Sequence, residues 1–207
     1  MLLAAAVVIA GCRAGAGFDG TGLDPFLCQA GDLPGTFMEQ TRGDFTADDL
    51  GGLSRMPEER KAAYRTAGMQ GGRFVFWKEA LPRPPFASPV NVVCQVLSFE
   101  SEEQASAWVA RLRPDPDIIR DSGMLWAPME NASTIELPGE RGRLFELVAS
   151  EGDAQVRLFA VHEARGRLVV SVFAGDRDGR TEAATALAIA ASRDARLERE
   201  RATSASR

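Results

Sequence analysis

The sequence predicts an α+β domain, a mostly antiparallel sheet with helices packed on one face. Three observations lead there. The second half of the chain holds four strand-like runs, residues 134–137, 143–149, 155–163 and 167–174, parted by Pro138-Gly139, Gly152-Asp153 and Arg165-Gly166. Turn signals this short join antiparallel neighbours into a meander. The first half adds two further runs, residues 73–79 and 90–99, and each half closes on a helical pattern, the first ending at Leu112 and the second near Leu197. No side-chain identity between the halves marks them as a repeat.

In chain order, residues 32–53 mix Asp, Gly and Thr with isolated apolar residues and read as loop with one short strand near Thr36 to Met38. A helix follows. Ser54 can cap it, Pro57 fits its first turn, Glu58 and Glu59 suit its positive end and Gly68 can stop it. Its expected buried stripe is Met56, Ala63, Tyr64 and Ala67. Phe74, Val75, Phe76 and Trp77 in succession favour a strand buried on both faces. Pro82, Pro84, Pro85 and Pro89 then interrupt the ladder, so 81–89 reads as an extended connection. In the next strand, period two puts Val90, Val92, Cys94 and Val96 on one face and Val93, Leu97 and Phe99 on the other.

Ser101-Glu102-Glu103-Gln104 is a capping box, and Ala105, Trp108, Val109 and Leu112 follow at helical spacing until Pro114. The connection from 114 to 132 carries Pro114, Pro116, Gly123 and Pro128, which prevent one long helix, yet it is apolar at Ile118, Ile119, Met124, Leu125, Trp126 and Met129. Long connections inside compact domains are commonly functional or disordered. We therefore expect Ile118 and Ile119 to pack and Leu125, Trp126 and Met129 to form a wall for a ligand or partner. The last helix, 181–197, is Ala-rich with Leu187 and Ile189 and should approach its partner closely. Residues 199–207 read as a disordered tail.

Composition narrows the chemistry. With 24 basic and 29 acidic residues scattered through the chain and a net charge of −5, there is no basic stripe for nucleic acid. The single histidine, His162, lies in an alternating strand, where it is expected to face solvent or make one hydrogen bond. A Ser-His-Asp enzyme would need it, and no serine sits in a nucleophile-elbow sequence. Zinc needs clustered Cys and His ligands, and Asp176-Arg177-Asp178-Gly179 matches only part of a calcium loop, so neither metal nor cofactor is expected. Gly15-Ala16-Gly17-Phe18-Asp19-Gly20 matches the dinucleotide fingerprint in letters but lacks the strand and helix that its mechanism requires. The pairs Glu102 with Glu103 and Asp48 with Asp49 are adjacent in sequence and so diverge on either a helix or a strand.

The apolar run from Leu2 to Ile9 is too short to span a bilayer and closes on Ile9-Ala10-Gly11-Cys12. This stretch resembles the lipobox of bacterial lipoproteins: an aliphatic residue, two small ones, then the cysteine that receives lipid. The resemblance implies cleavage after Gly11, acyl chains on Cys12 and a domain held at the extracytoplasmic face of the cell membrane. No Lys or Arg precedes Arg13, whereas such signals open with positive charge. With Cys12 lipidated, Cys28 and Cys94 remain. In an exported chain this even remainder is expected to pair, whereas in a reducing compartment the two would stay separate buried thiols. The expected organisation is a signal peptide over 1–11, an anchor and flexible spacer over 12–31, one α+β domain over 32–198 and the tail. The expected function is non-catalytic binding of a partner protein or an apolar small molecule beside the membrane. The alternative is an extracytoplasmic enzyme using carboxylates or a loop-built site.

Overall fold

The structure is a computed structural model and describes residues 19–52, 57–80, 89–113, 130–138, 142–151, 153–179 and 181–205. Seven strands, β1 (Phe37–Phe45), β2 (Met69–Glu79), β3 (Asn91–Phe99), β4 (Glu130–Leu137), β5 (Arg143–Glu151), β6 (Ala154–Arg165) and β7 (Leu168–Asp176), form one sheet. Its order is β1-β2-β3-β7-β6-β5-β4, and every neighbouring pair is antiparallel. A three-stranded and a four-stranded meander thus meet at their last strands, β3 and β7. The expected class and antiparallel sheet hold.

The helices, however, lie on both faces rather than one. Helices α1 (Ala47–Gly51), α2 (Pro57–Thr66) and α3 (Glu102–Arg111) pack Leu50, Tyr64, Ala105 and Val109 against a layer that includes Phe74, Phe76, Val93, Leu97 and Phe173. On the opposite face, α4 (Ala183–Ala205) packs Ala186, Ile189 and Ala190 against Val161, Val170 and Val172. The reason is visible in the strands. β2, β3 and β7 are apolar at consecutive positions, so each of their faces needs a cover. Below, the two sides are called the α3 face and the α4 face.

Ser101 caps as the sequence indicates, whereas Ser54 lies outside the described residues. Ser101 Oγ accepts a hydrogen bond from the Gln104 amide at 3.2 Å and starts α3. Thr46 and Asp49 form a reciprocal box that starts α1, a helix too short to leave a periodic signal. In α2 Tyr64 is buried but Ala63 is exposed; Ala67, just past the helix, is half-buried, and Met56 lies outside the described residues. β1 is longer than the expected strand, pairing with β2 from Phe37 to Phe45 with an irregularity between Glu39 and Thr41. At Gly72 the aromatic ring of Phe45 and the Val96 carbonyl would both lie within 2.5 Å of an added Cβ, so only glycine fits between β1 and β3.

Two ends differ from expectation. Much of the region read as spacer is packed: 3-10 turns at Thr21–Phe26 and Ala30–Asp32 lie on the α4 face, with Leu27, Cys28 and Leu33 in its core. At the other end, the expected tail from 199 continues as exposed helix to Ala205.

Candidate functional site

Cys12, Leu125, Trp126 and Met129 lie outside the described residues. Cys28 and Cys94 are described and bonded to each other, with Cα atoms 5.7 Å apart, and both are buried. The bridge ties the N-terminal segment to the central strand β3. Arg196 of α4 reinforces the tie, donating to the carbonyls of Leu27 and Pro25 at 2.8 and 3.0 Å and pairing with Asp32 at 3.1 Å. Asp24 adds a third clasp, accepting from Arg42 at 2.7 Å and from Arg73 at 2.8 Å.

On the α4 face a second charged cluster fastens α4 to β6. Arg193 is 1% exposed and reaches Glu163 at 3.2 Å and Asp194 at 3.1 Å, while Arg165 binds the same two carboxylates. Two cations and two carboxylates balance.

The α3 face holds the polar arrangement with the most chemical capacity. Gln95 on β3, Ser171 on β7, His162 on β6 and Arg143 on β5 are successive register partners, so period two and antiparallel pairing align them in one row across four strands. His162 Nδ1 lies 2.8 Å from Ser171 Oγ, and its ring stands 5.8 Å from Phe145 and 5.3 Å, edge-on, from Phe173. Its Nε2 has no hydrogen-bond partner among the described residues. Burial, and then the nearby Arg143 charge, push the imidazole down to about 4, so the ring is neutral at pH 7. His162 is thus a core residue making one hydrogen bond, on the same face as Leu158 and Ala160, rather than a solvent-facing one.

Ser171 is 1% exposed, so its hydroxyl meets no substrate, and the pair acts as a buried polar contact rather than as nucleophile and base. Arg143 closes the row. It forks onto the Glu136 carboxylate of β4, which holds that carboxyl below its ordinary range, lies 5.4 Å over the Phe145 ring, and donates to the Ala110 carbonyl at the end of α3 at 3.1 Å. Beside it, Phe145, Leu147, Ala149, Leu158 and Ala160 make an apolar floor on β5 and β6. The chain leaves the described residues at Arg113, just past α3, and re-enters at Glu130 on β4, at the edge of this floor. The row was missed in the sequence because its members come from four strands; only the period-two parity of His162 with Leu158 and Ala160 signalled its direction.

No helix among the described residues is long and apolar enough to cross a membrane. The geometry defines a disulfide-braced α+β domain with a seven-stranded antiparallel sheet covered on both sides. No protein-family model and no curated protein matches the sequence. Among solved structures the fold is similar to the extracellular domain of PknH from Mycobacterium tuberculosis, with a TM-score of 0.57 and 12% identity, over 88% of this chain and 97% of that one. At that identity the likeness is one of fold.

Proposed function

We propose that this chain is a membrane-anchored extracytoplasmic lipoprotein whose domain binds a partner protein or an apolar small molecule without catalysing a reaction. The observation that carries the proposal is the buried Cys28–Cys94 bridge, because structural disulfides form and persist in oxidising compartments outside the cytoplasm. The resemblance of Ile9-Ala10-Gly11-Cys12 to a lipobox supplies the anchor, and the fold shared with an extracellular domain supports the same address. The binding wall is Leu125, Trp126 and Met129, in the apolar connection whose two ends flank the floor of Phe145, Leu147 and Leu158.

Fractionation of cells tests the anchor. Two or more acyl chains hold a protein at a bilayer where one does not, so the parent should sediment with membranes and Cys12→Ala should be released. A Cys12→Ala protein that sediments as fully as the parent would remove the anchor. Thermal melts and titration with the apolar dye ANS test the wall. Trp126→Ala should keep the parent's melting temperature and lose dye binding, whereas a loss of about 3–5 kcal/mol of stability would assign Trp126 to core packing.

A further inference from the structure

The row across the α3 face places a titratable ring where its charged form has no uncommitted counter-ion among the described residues. On β5, His162 is paired with Arg143, whose guanidinium holds Glu136 of β4; on β7 it is paired with the neutral Ser171, beyond which Gln95 of β3 continues the row. From α3, the core-facing residues are Ala105, Val109, Trp108 and Leu112, none of them ionisable, and the helix's Glu102, Glu103 and Arg111 are exposed. The neighbouring carboxylate of Glu163 points to the opposite face, where Arg193 and Arg165 hold it. A second proton on the ring would therefore add a second cation beside Arg143 in an apolar layer, between Phe145 and Phe173.

We infer that His162 is an acid-sensing switch: protonation of its ring drives Arg143 off the end of α3 and loosens that helix from β5 and β6. Arg143 is the part that yields, since its bonds to the Val109 and Ala110 carbonyls, at 3.4 and 3.1 Å, join the helix to the row, while Ser171 and the two phenyl rings are fixed in the core. The sign follows from the direction of the shift. A histidine held near 4 in the closed state and near 6.5 when solvated favours closure fully above about pH 6.5, and that preference is lost as pH falls toward 4. Between pH 7 and pH 4.5 the opening equilibrium should rise on the order of 50-fold. The switch requires neither the anchor nor a ligand.

Two measurements on the full chain test it. His162 is the only histidine, so its ring resonances in a labelled sample are unambiguous, and they should titrate well below 6.5. Amide hydrogen exchange, corrected for its intrinsic pH dependence, should accelerate in α3 and β5 over the same pH range while the amides of β2 and β3 stay protected. His162→Gln, which keeps a polar side chain but does not titrate, should abolish the acceleration; if that variant does not fold, the ring titration and exchange of the parent decide. A midpoint at or above 6.5, α3 exchange that does not follow the ring titration, an unaltered acceleration in His162→Gln, or simultaneous loss of protection in every strand would each overturn the switch.

Discussion

Arg193 shows how far a single side chain can depart from what its neighbours in sequence suggest. It sits in a charge-rich stretch of α4, between Ser192 and Asp194, where a solvated helix face would be the ordinary reading. Instead it is buried, and its guanidinium bridges Glu163 and Asp194. A buried pair gains little over an apolar replacement of both partners, but removing one partner strands the other. Arg193→Met should cost about 3–5 kcal/mol in urea unfolding, since Glu163 and Asp194 would then lose the buried guanidinium that bridges them. Adding Glu163→Gln should return part of that loss, and a single-variant loss under about 1 kcal/mol would show that the cluster is solvated. His162 follows the same logic. Strand parity made its face legible, but its burial depended on Phe145, Phe173 and α3, which no local pattern announces.

Among elements, the N-terminal segment carries the largest difference between sequence and structure. Its glycines and weak periodicity resemble a spacer, and nothing within it could bury Leu27 or Cys28. The partners that do so are remote: Cys94 is 66 positions away, Arg73 lies 49 from Asp24, and Arg196 lies 169 from Leu27. Such a segment is held by constraints rather than by its own propensity. Closing a loop of this length stabilises by about 4 kcal/mol in the chain-entropy treatment. Cys94→Ser should therefore lower unfolding stability by up to that amount, and free-thiol titration of the denatured, unreduced parent should find neither Cys28 nor Cys94 reactive. A variant as stable as the parent would mean that the Arg196 and Asp24 clasps alone hold the segment. By contrast α3 was legible, because its cap Ser101 and its apolar spacing lie in or next to its own residues.

For the whole molecule, antiparallel neighbours joined by short turns were readable as a meander. Gly166, at φ +57° in the β6–β7 turn, shows why: the turn needs a conformation that glycine adopts freely, and the sequence displays it. The outer edge β1 is protected by Glu39, Arg42 and Asp44 along it and by an irregular step between Glu39 and Thr41, which the structure shows and the loop-like composition did not announce. The connection 114–129 marks the limit for the candidate site, since its apolar residues are plain in the sequence but the surface they meet is a property of packing. The strands β2, β3 and β5 to β7, the antiparallel direction of the second meander, the Ser101 cap and the alternation of faces were determined by the sequence alone, because each depends on residues within a few positions of one another. The union of β3 with β7, the covering of both faces, the burial of the N-terminal segment and the polar row of Gln95, Ser171, His162 and Arg143 were decided by the tertiary structure, because each joins groups that only the folded sheet brings into contact.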